Sequence, residues 1–375
     1  MLLTIVAFVV VLGLLIFVHE LGHFIAAKKA GCRVDEFGFG FPPKIFGIKR
    51  GETEYTINWL PIGGFVRIFG EDGSGEKDKK SFASKKAWVR TLILAAGISM
   101  NILLAAFLFS IGYGIGFPQA IPSDGIEGAT ITEEKVQVSY VEPDTPAAIA
   151  ELETLDEIYS FNGVRIQKSE DLTNAVKDSL GEEVEVVIKR GGEEMNVTIT
   201  PREEYPEDQG PIGIELVETG IVAYPWYRAV WEGIRTAFTT LLMIVVSLYY
   251  LIRDAIATGE FQEGAIRGPV GIAVLTGQFA KQGIAYLLWF AGFLSVNLAL
   301  INALPFPALD GGRLLFIGIE KLRGGKKVKQ STENIIHLIG FGLLILMVVV
   351  ITFRDVIHFQ DGFINLWNRF LDIFR

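Results

Sequence analysis

Four long stretches of this 375-residue chain contain almost no polar residues. They cover residues 2–18, 92–117, 284–301 and 335–353. Each approaches or reaches the roughly 20 residues that a helix needs to cross the hydrocarbon core of a bilayer. The pattern therefore predicts four transmembrane helices. A fifth apolar stretch, residues 236–252, is a little short for the same role.

The first apolar stretch has two interpretations, a retained helix or a cleaved signal peptide. A signal peptide has a basic segment before its apolar run and small residues at its cleavage site. Neither feature is found before His19. The sequence therefore favours a helix that stays in the mature protein.

Between the second and third apolar stretches, the pattern changes to short alternating segments. Residues 135–141 alternate as a strand does, and Asn162-Gly163 is a strong signal for a two-residue hairpin turn. Ser169 precedes two acidic residues, which predicts a helix with Ser169 as its N-cap. Residues 184–199 form a second hairpin pattern around two glycines. These signals predict a small α/β domain over residues 136–200.

Charge is distributed unevenly along the chain. The net charge of −9 divides into −17 for residues 118–218 and +8 for the remainder. Basic residues concentrate in two loops, with 13 Lys and Arg in residues 28–90 and 6 in residues 313–329. Because loops rich in Lys and Arg stay in the cytoplasm, the acidic domain is predicted to be extracytoplasmic. The acidic balance argues against a nucleic-acid partner, and a single cysteine excludes a disulfide framework.

This orientation predicts how the remaining segments lie. The third predicted helix must run inward, because the basic loop that follows it is cytoplasmic. It can do so only if residues 236–252, which follow the external domain, do not cross the membrane. We expect that stretch at the outer interface, with residues 224–235 as an amphipathic lead-in. The apolar spacing in residues 363–374 predicts an interfacial helix in the C-terminal tail, outside like the N-terminus.

Two histidines and a glutamate end the first apolar stretch. His19 and His23 are four residues apart, so a helix places both imidazoles on one face, where they can bind one metal ion. Glu20 lies beside the first histidine and can accept a proton from a metal-activated water. A chance match to this pattern is common in soluble chains. In a membrane helix these polar residues are costly, which favours a metal site.

A catalytic zinc site needs a third protein ligand and one open position. Cys32, His337 and His358 are weak candidates, because a lone buried thiol or interfacial histidine has simpler interpretations. Asp310 is a stronger candidate for the third ligand, since two prolines break the helix before Asp310 and two glycines follow Asp310. The alternative role of Asp310 is to cap the helix that follows, but this role does not explain Asn302 inside the apolar run.

These motifs together resemble the site-2 protease family of intramembrane zinc metalloproteases, in its bacterial RseP type. The resemblance rests on His-Glu-Leu-Gly-His at residues 19–23, Asn-Ala-Leu-Pro-Phe-Pro-Ala-Leu-Asp-Gly-Gly at residues 302–312 and an intervening PDZ-like domain. It implies zinc bound by His19, His23 and Asp310, with Glu20 as general base. It also implies that Asn302 contacts the substrate backbone.

The resemblance implies substrate-binding elements as well. Residues 36–40 and 55–69 resemble a membrane-dipping β-hairpin whose edge, including Gly63 and Gly64, receives an unwound substrate helix as an added strand. Residues 268–272 match the family's Gly-Pro-x-Gly-Ile segment. Two departures exist. Residues 97–101 lack the usual proline before Asn101, and residues 151–156 lack both glycines of the usual PDZ pattern.

The predicted fold is a mainly α-helical polytopic membrane protein with four transmembrane helices, a membrane-associated β-hairpin region and an inserted extracytoplasmic α/β PDZ-like domain. Its predicted parts are residues 1–117, 118–218 (PDZ-like), 219–283 (interfacial, with Gly-Pro-Val-Gly-Ile), 284–353 and 354–375.

The predicted function is an intramembrane zinc metalloendopeptidase of the plasma membrane, with its active site near the cytoplasmic face. Its implied substrates are transmembrane segments of proteins such as anti-sigma factors or signal-peptide remnants. The PDZ-like domain has two open interpretations, a binding site for a peptide or protein ligand and a spacer that filters by size. The alternatives for the whole chain are a non-catalytic binding protein of the same fold and a metal transporter, which would need more intramembrane acids and histidines.

Overall fold

A computed structural model describes residues 2–122, 125–190, 193–206, 209–259 and 267–358. The chain divides into two compact units. One contains Met1–Phe109 and Gly233–Arg375, and the other is Ser110–Glu232, which extends beyond the predicted 118–218 on both sides. The predicted tail helix at 363–374 and the glycines at 191–192 lie outside the described residues.

Helices and strands alternate in groups along the chain. They are α1 (Leu2–Lys29), β1 (Val34–Arg50), β2 (Thr53–Ile68), α2 (Ala87–Ile115), β3 (Phe117–Ala120), β4 (Thr130–Val141), α3 (Pro146–Ile149), β5 (Glu157–Phe161), β6 (Val164–Arg165), α4 (Ser169–Lys177), β7 (Val184–Arg190), β8 (Glu193–Ile199), β9 (Ile214–Ala223), α5 (Trp226–Thr258), α6 (Pro269–Gln282), α7 (Ile284–Ala303), α8 (Asp310–Leu322) and α9 (Gln330–His358).

Five helices of the described chain are long and apolar enough to cross a membrane: α1, α2, α5, α7 and α9. Four contain the predicted stretches. The fifth, α5, has 33 residues, so the apolar stretch at 236–252 is not short but part of a longer helix. None of the residues in its most apolar window is buried.

Close helix packing surrounds the middle of α1. Val11 and Leu15 of α1 pack with Leu104 of α2 and Ala291 of α7 in one buried cluster. Gly22 faces α2 so closely that a Cβ there would overlap the backbone of Ala96. The small residue lets the two backbones approach, as is common where membrane helices cross. At the start of α2, Arg90 and Glu320 form a buried ion pair at 2.6 Å that joins α2 to α8.

The two long strands β1 and β2 fold into a sheet of four segments. Residues 36–39 pair with residues 54–57 on one side and with residues 64–67 on the other, while residues 44–50 pair with the outer side of residues 53–58. The two edges of this sheet are therefore residues 64–68 and 44–50. Phe37 packs on α1 against the rings of Phe17 and Phe24, at centroid distances of 5.6 and 5.0 Å.

The unit Ser110–Glu232 contains one antiparallel sheet with strand order β3-β9-β4-β5-β7-β8, and β6 pairs with β5. Its core lies under α4 and includes Val136, Ile158, Phe161, Leu172 and Ile188. The Asn162-Gly163 turn between β5 and β6 has both residues at positive φ, as the sequence predicts.

The predicted N-cap of α4 is wrong by one residue. The helix begins at Ser169 itself. The Oδ2 atom of Asp171 accepts hydrogen bonds from the backbone N–H groups of Gln167 and Lys168, at 3.0 and 2.9 Å. These backbone hydrogen bonds hold the pKa of the Asp171 carboxyl below its ordinary value. A carboxylate in the first turn therefore caps this helix instead of the serine hydroxyl.

Candidate metal centre and active site

The last turns of α1 present the two histidines toward the helix bundle. His19 and His23 are each only 6% exposed, and their rings lie 4.8 Å apart. Their Nε2 atoms are 3.2 Å apart. The predicted i, i+4 pair thus points two imidazole nitrogens at one place.

One face of α2 contacts both imidazoles. The carbonyl oxygen of Ile93 lies 2.9 Å from Nδ1 of His23, and the side-chain amide of Asn101 lies 3.3 Å from Nδ1 of His19. Gly97 lies between them on the same face, where a Cβ would overlap the His23 ring. The spacing of four residues places Ile93, Gly97 and Asn101 in one row along the helix.

Asp310 reaches the histidines because α7 ends seven residues before it. The prolines at 305 and 307 prevent the helix from continuing, and Ala308 adopts a left-handed backbone with φ of +81°. Gly311 and Gly312 pack against the carbonyl groups of residues 303–306 without room for a side chain. The loop therefore delivers Asp310 as the first residue of α8.

The last helix, α9, holds this loop in place. The Ala308 N–H donates to Nδ1 of His337 at 2.8 Å. Gly340, one turn further along α9, lies against Pro307 with no space for a Cβ. His337 is thus neither a metal ligand nor a simple interfacial residue, because it satisfies a backbone donor two residues before Asp310.

Three side chains converge on one point. Oδ2 of Asp310 lies 3.1 Å from Nε2 of His19 and 3.1 Å from Nε2 of His23. Among the described residues, this is the one group of three His, Cys, Asp or Glu side chains arranged to hold a metal ion. The same Oδ2 atom is buried without a hydrogen-bond partner. Two imidazoles and an orphaned carboxylate oxygen fit a zinc ion that leaves a fourth position open.

Glu20 lies between this cluster and the β1–β2 sheet. A Cβ built on Gly64 would lie 3.7 Å from Cγ of Glu20. The glycine therefore brings the edge segment of residues 64–68 directly beside the glutamate. Among the described residues, no further strand pairs with that edge.

The other sequence candidates occupy different places. Asn302 is half-buried in the last turn of α7, and Cys32 is buried in an apolar cluster with Val34 and Ile93. Burial raises the pKa of the Cys32 thiol, and the residue is not part of the metal-binding group. The interpretation of Cys32 as a small apolar side chain fits this position.

Comparison with known proteins decides the family. The family model described as Peptidase family M50 matches residues 7–347, most of the chain. The chain belongs to this family. The zinc metalloprotease RasP of Geobacillus kaustophilus is 33% identical over 95% of this chain and 98% of its own length. The regulator of sigma-W protease RasP of Bacillus subtilis is 31% identical over 94% of this chain and 98% of its own length.

This M50 protein is therefore a metalloprotease, and its apolar helices make it a membrane protein. Among solved structures, the PDZ domain of an SdrC-like protein from Listeria monocytogenes covers 23% of the chain and 92% of its own length. It is 26% identical, with a TM-score of 0.21.

The PDZ-like domain of this M50 protease contains a cavity of about 230 Å³ between α4 and the start of β9. Leu172 and Val176 of α4 face Ile214 and Leu216 across it. The chain's own β3 pairs with residues 219–222 of β9. The edge of β9 beside the cavity is therefore limited to residues 214–217.

Sequence reasoning named Asn101 and His337 but did not predict the contacts by which they support the site. A signal for Asn101 was present, because a polar residue four positions after a glycine in an apolar helix predicts a helix contact. His337 gave no comparable signal. Its role depends on which loop lies opposite α9, and only the tertiary structure determines that.

Proposed function

We propose that this M50 metalloprotease hydrolyses peptide bonds in transmembrane segments of other membrane proteins. The observation that carries the proposal is the meeting of His19, His23 and Asp310 beside Glu20, next to helices apolar enough to span a membrane. A non-catalytic binding protein would have no use for this buried and costly arrangement.

The proposed metal ligands are His19, His23 and Asp310. Zinc is the metal named in the curated relatives, and the two imidazoles and one carboxylate form a donor set that suits it. When bound, zinc polarises a carbonyl and lowers the pKa of a coordinated water to about 7.

Glu20 is the proposed general base. It is next to His19 in sequence and is half-buried, so its carboxylate is partly accessible. In the proposed reaction it takes a proton from the attacking water and gives a proton to the leaving amine.

The substrate is proposed to bind in an extended form along residues 64–68. A helical substrate satisfies its own backbone hydrogen bonds, whereas an unwound one needs new partners. The free strand edge offers them next to Glu20, with Gly63 and Gly64 as the proposed contacts of the substrate backbone. Asn302 is proposed to contact the same substrate backbone.

The proposed orientation places the PDZ-like domain outside and the metal centre near the cytoplasmic face. The acidic charge of residues 118–218 and the basic loops at 28–90 and 313–329 support it. We further propose that α5 does not cross the membrane.

The contacts of α6 support this placement of α5. Gly268 lies beside Ile351 and Asp355 at the end of α9, and Gly277 lies beside Thr4 at the start of α1, so α6 is at the end of the bundle away from Lys28. Only nine residues separate Thr258 from Gly268. An extended chain of that length reaches about 30 Å, the full hydrocarbon thickness. Its peptide groups would lack partners in lipid.

The PDZ-like domain is proposed to select substrates. Its groove offers residues 214–217 as a short edge, which suits a short peptide end better than an internal segment, because β3 occupies the rest. The name of the Bacillus relative links that protein to sigma-W regulation. We propose anti-sigma factors and signal-peptide remnants as the substrate class.

Replacement of Glu20 tests the proposal. In Glu20→Gln, cleavage of a membrane substrate with a short external domain should fall about 10²–10⁴-fold, the usual contribution of a general base. Zinc content should stay at the wild-type value, because the ligands are intact. Glu170→Gln, an exposed change in the PDZ-like domain, serves as the control. Unchanged cleavage by a zinc-loaded Glu20→Gln enzyme would remove Glu20 from the mechanism.

A further inference from the structure

We propose that Asn101 is a positioning residue whose amide oxygen fixes the tautomer of His19 in which Nε2 is free to bind zinc. The inference rests on the proposed function, which makes His19 a zinc ligand. Asn101 is completely buried in α2, and its amide lies 3.3 Å from Nδ1 of His19.

The oxygen and the nitrogen of the Asn101 amide favour different tautomers of His19. With Nδ2 toward the ring, the amide donates to Nδ1, and the proton of a neutral imidazole must then be on Nε2. That tautomer cannot bind a metal through Nε2. It also leaves Oδ1 of Asn101 buried without a hydrogen-bond partner.

Rotation of the amide by 180° resolves the conflict at His19. Oxygen and nitrogen of an asparagine amide have nearly the same size, so the two orientations occupy the same space. In the rotated form Oδ1 accepts the Nδ1–H of His19. The lone pair of Nε2 then points to Asp310 and His23, from which it is 3.1 and 3.2 Å away.

His23 shows the same arrangement with an unambiguous acceptor. Its Nδ1 lies 2.9 Å from the backbone carbonyl oxygen of Ile93, which can only accept. Nδ1 of His23 therefore carries the proton, and its Nε2 is free. Ile93 and Asn101 lie two turns apart on one face of α2, so a single helix would orient both zinc histidines.

A third helix fixes the position of Asn101. The buried hydroxyl of Ser295 in α7 donates to the Asn101 backbone carbonyl at 2.8 Å. The same α7 leads into the loop that carries Asp310. Asn101 therefore contacts α1, which carries His19 and His23, and α7, which leads into the loop before Asp310. Its amide is held where His19 needs it.

Zinc affinity of the full-length protein in detergent tests the inference without an activity readout. Competition with a chelator of known affinity should show 10–100-fold weaker zinc binding for Asn101→Leu, the usual effect of removing a hydrogen-bond partner of a metal-ligating histidine. Asn101→Asp should stay close to wild type, because a carboxylate accepts the Nδ1–H. Asn297→Leu is the matched control, since its amide donates only to Phe293 of its own helix.

A packing role for Asn101 gives the opposite ranking. The Asn101→Leu protein would then bind zinc like wild type, and the Asn101→Asp protein would bind it more weakly. Either result overturns the inference. Asn101→Ala replaces the leucine variant if circular dichroism shows that the latter is unfolded, with the same expected loss. If His19→Ala leaves zinc affinity unchanged, the proposed ligand set fails instead, which separates the two proposals.

Discussion

Gly97 separates the two residues of α2 that contact the histidines, and its missing side chain is what lets α2 approach α1. A Cβ at this position would overlap the His23 ring. Backbone at such a contact cannot shift without moving the whole helix. The residue is therefore required by the site, although it has no chemical role in the reaction.

Gly97→Ala should displace His23 and reduce zinc affinity and cleavage together, by at least 10-fold in each, the lower end of the effect of disturbing a histidine ligand. Gly114→Ala is the control on the same helix, because a Cβ there meets nothing within 4 Å. Zinc competition and a cleavage assay measure both variants. Equal zinc affinity in the two variants would contradict this account of Gly97.

Glu151 and Leu155 are among the non-glycine residues of the PDZ-like domain that adopt left-handed backbone. Glu151 and Leu155 have φ of +56° and +76°, at the two positions where the family pattern has glycine. The missing glycines thus do not alter the fold here. The turn is held by Asp156, which binds Arg190 through two hydrogen bonds of 2.8 and 2.7 Å and raises the pKa of Arg190 above its ordinary value.

Leu155→Gly should stabilise the domain by about 1 kcal/mol, because an L-residue in the left-handed region costs about 1–2 kcal/mol and glycine does not. Leu155 is 60% exposed, so little burial is lost. Val164→Gly, an exposed change in a strand, should destabilise it instead. Hydrogen exchange of the β5 and β7 amides in the full-length protein measures both effects. Faster exchange in Leu155→Gly would contradict the prediction.

At the scale of elements, α9 supports the metal centre from outside. It contributes no proposed ligand, but His337 accepts the Ala308 N–H, and Gly340 lets α9 lie against Pro307. The loop before Asp310 has left-handed backbone at Ala308, which needs such external contacts to persist. The position of Asp310 therefore depends on a helix that follows it in the chain.

Gly340→Ala should push α9 away from Pro307 and reduce zinc affinity, since the loop that carries Asp310 would lose its support. Gly342→Ala tests the same substitution two residues later, where a Cβ meets nothing within 4 Å. That control should bind zinc like wild type. Chelator competition distinguishes the two, and a normal affinity for Gly340→Ala would show that α9 does not position the loop.

At the scale of the whole molecule, the question is which elements lie on each side of the membrane. The uneven charge and the short connection between α5 and α6 both favour an outer position for the end of α5. A spanning α5 would instead place Asp254 in the cytoplasm.

Labelling of single cysteines in a Cys32→Ser background checks this topology. An impermeant reagent applied from outside should label Asp254→Cys and Glu170→Cys in intact cells. It should reach Lys326→Cys only after the membrane is opened. All three positions are exposed in the structure. Labelling of Asp254→Cys only after opening would make α5 a fifth transmembrane helix and overturn the proposed arrangement.

The sequence by itself determined the features that depend on neighbours along the chain. The i, i+4 spacing of His19 and His23 and the alternation of the strands follow from local geometry. The break of the helix before Asp310 follows from proline chemistry. The length of α5 was misjudged, because its polar lead-in and apolar middle form one continuous helix.

Only the tertiary structure decided which distant residues meet. The amide of Asn101 beside His19, the contact of His337 with Ala308 and the approach of Gly64 to Glu20 join positions that are tens of residues apart. The division of β1 and β2 into four paired segments also depends on their packing against α1. Such contacts are set by the packing of whole elements, which no local pattern encodes.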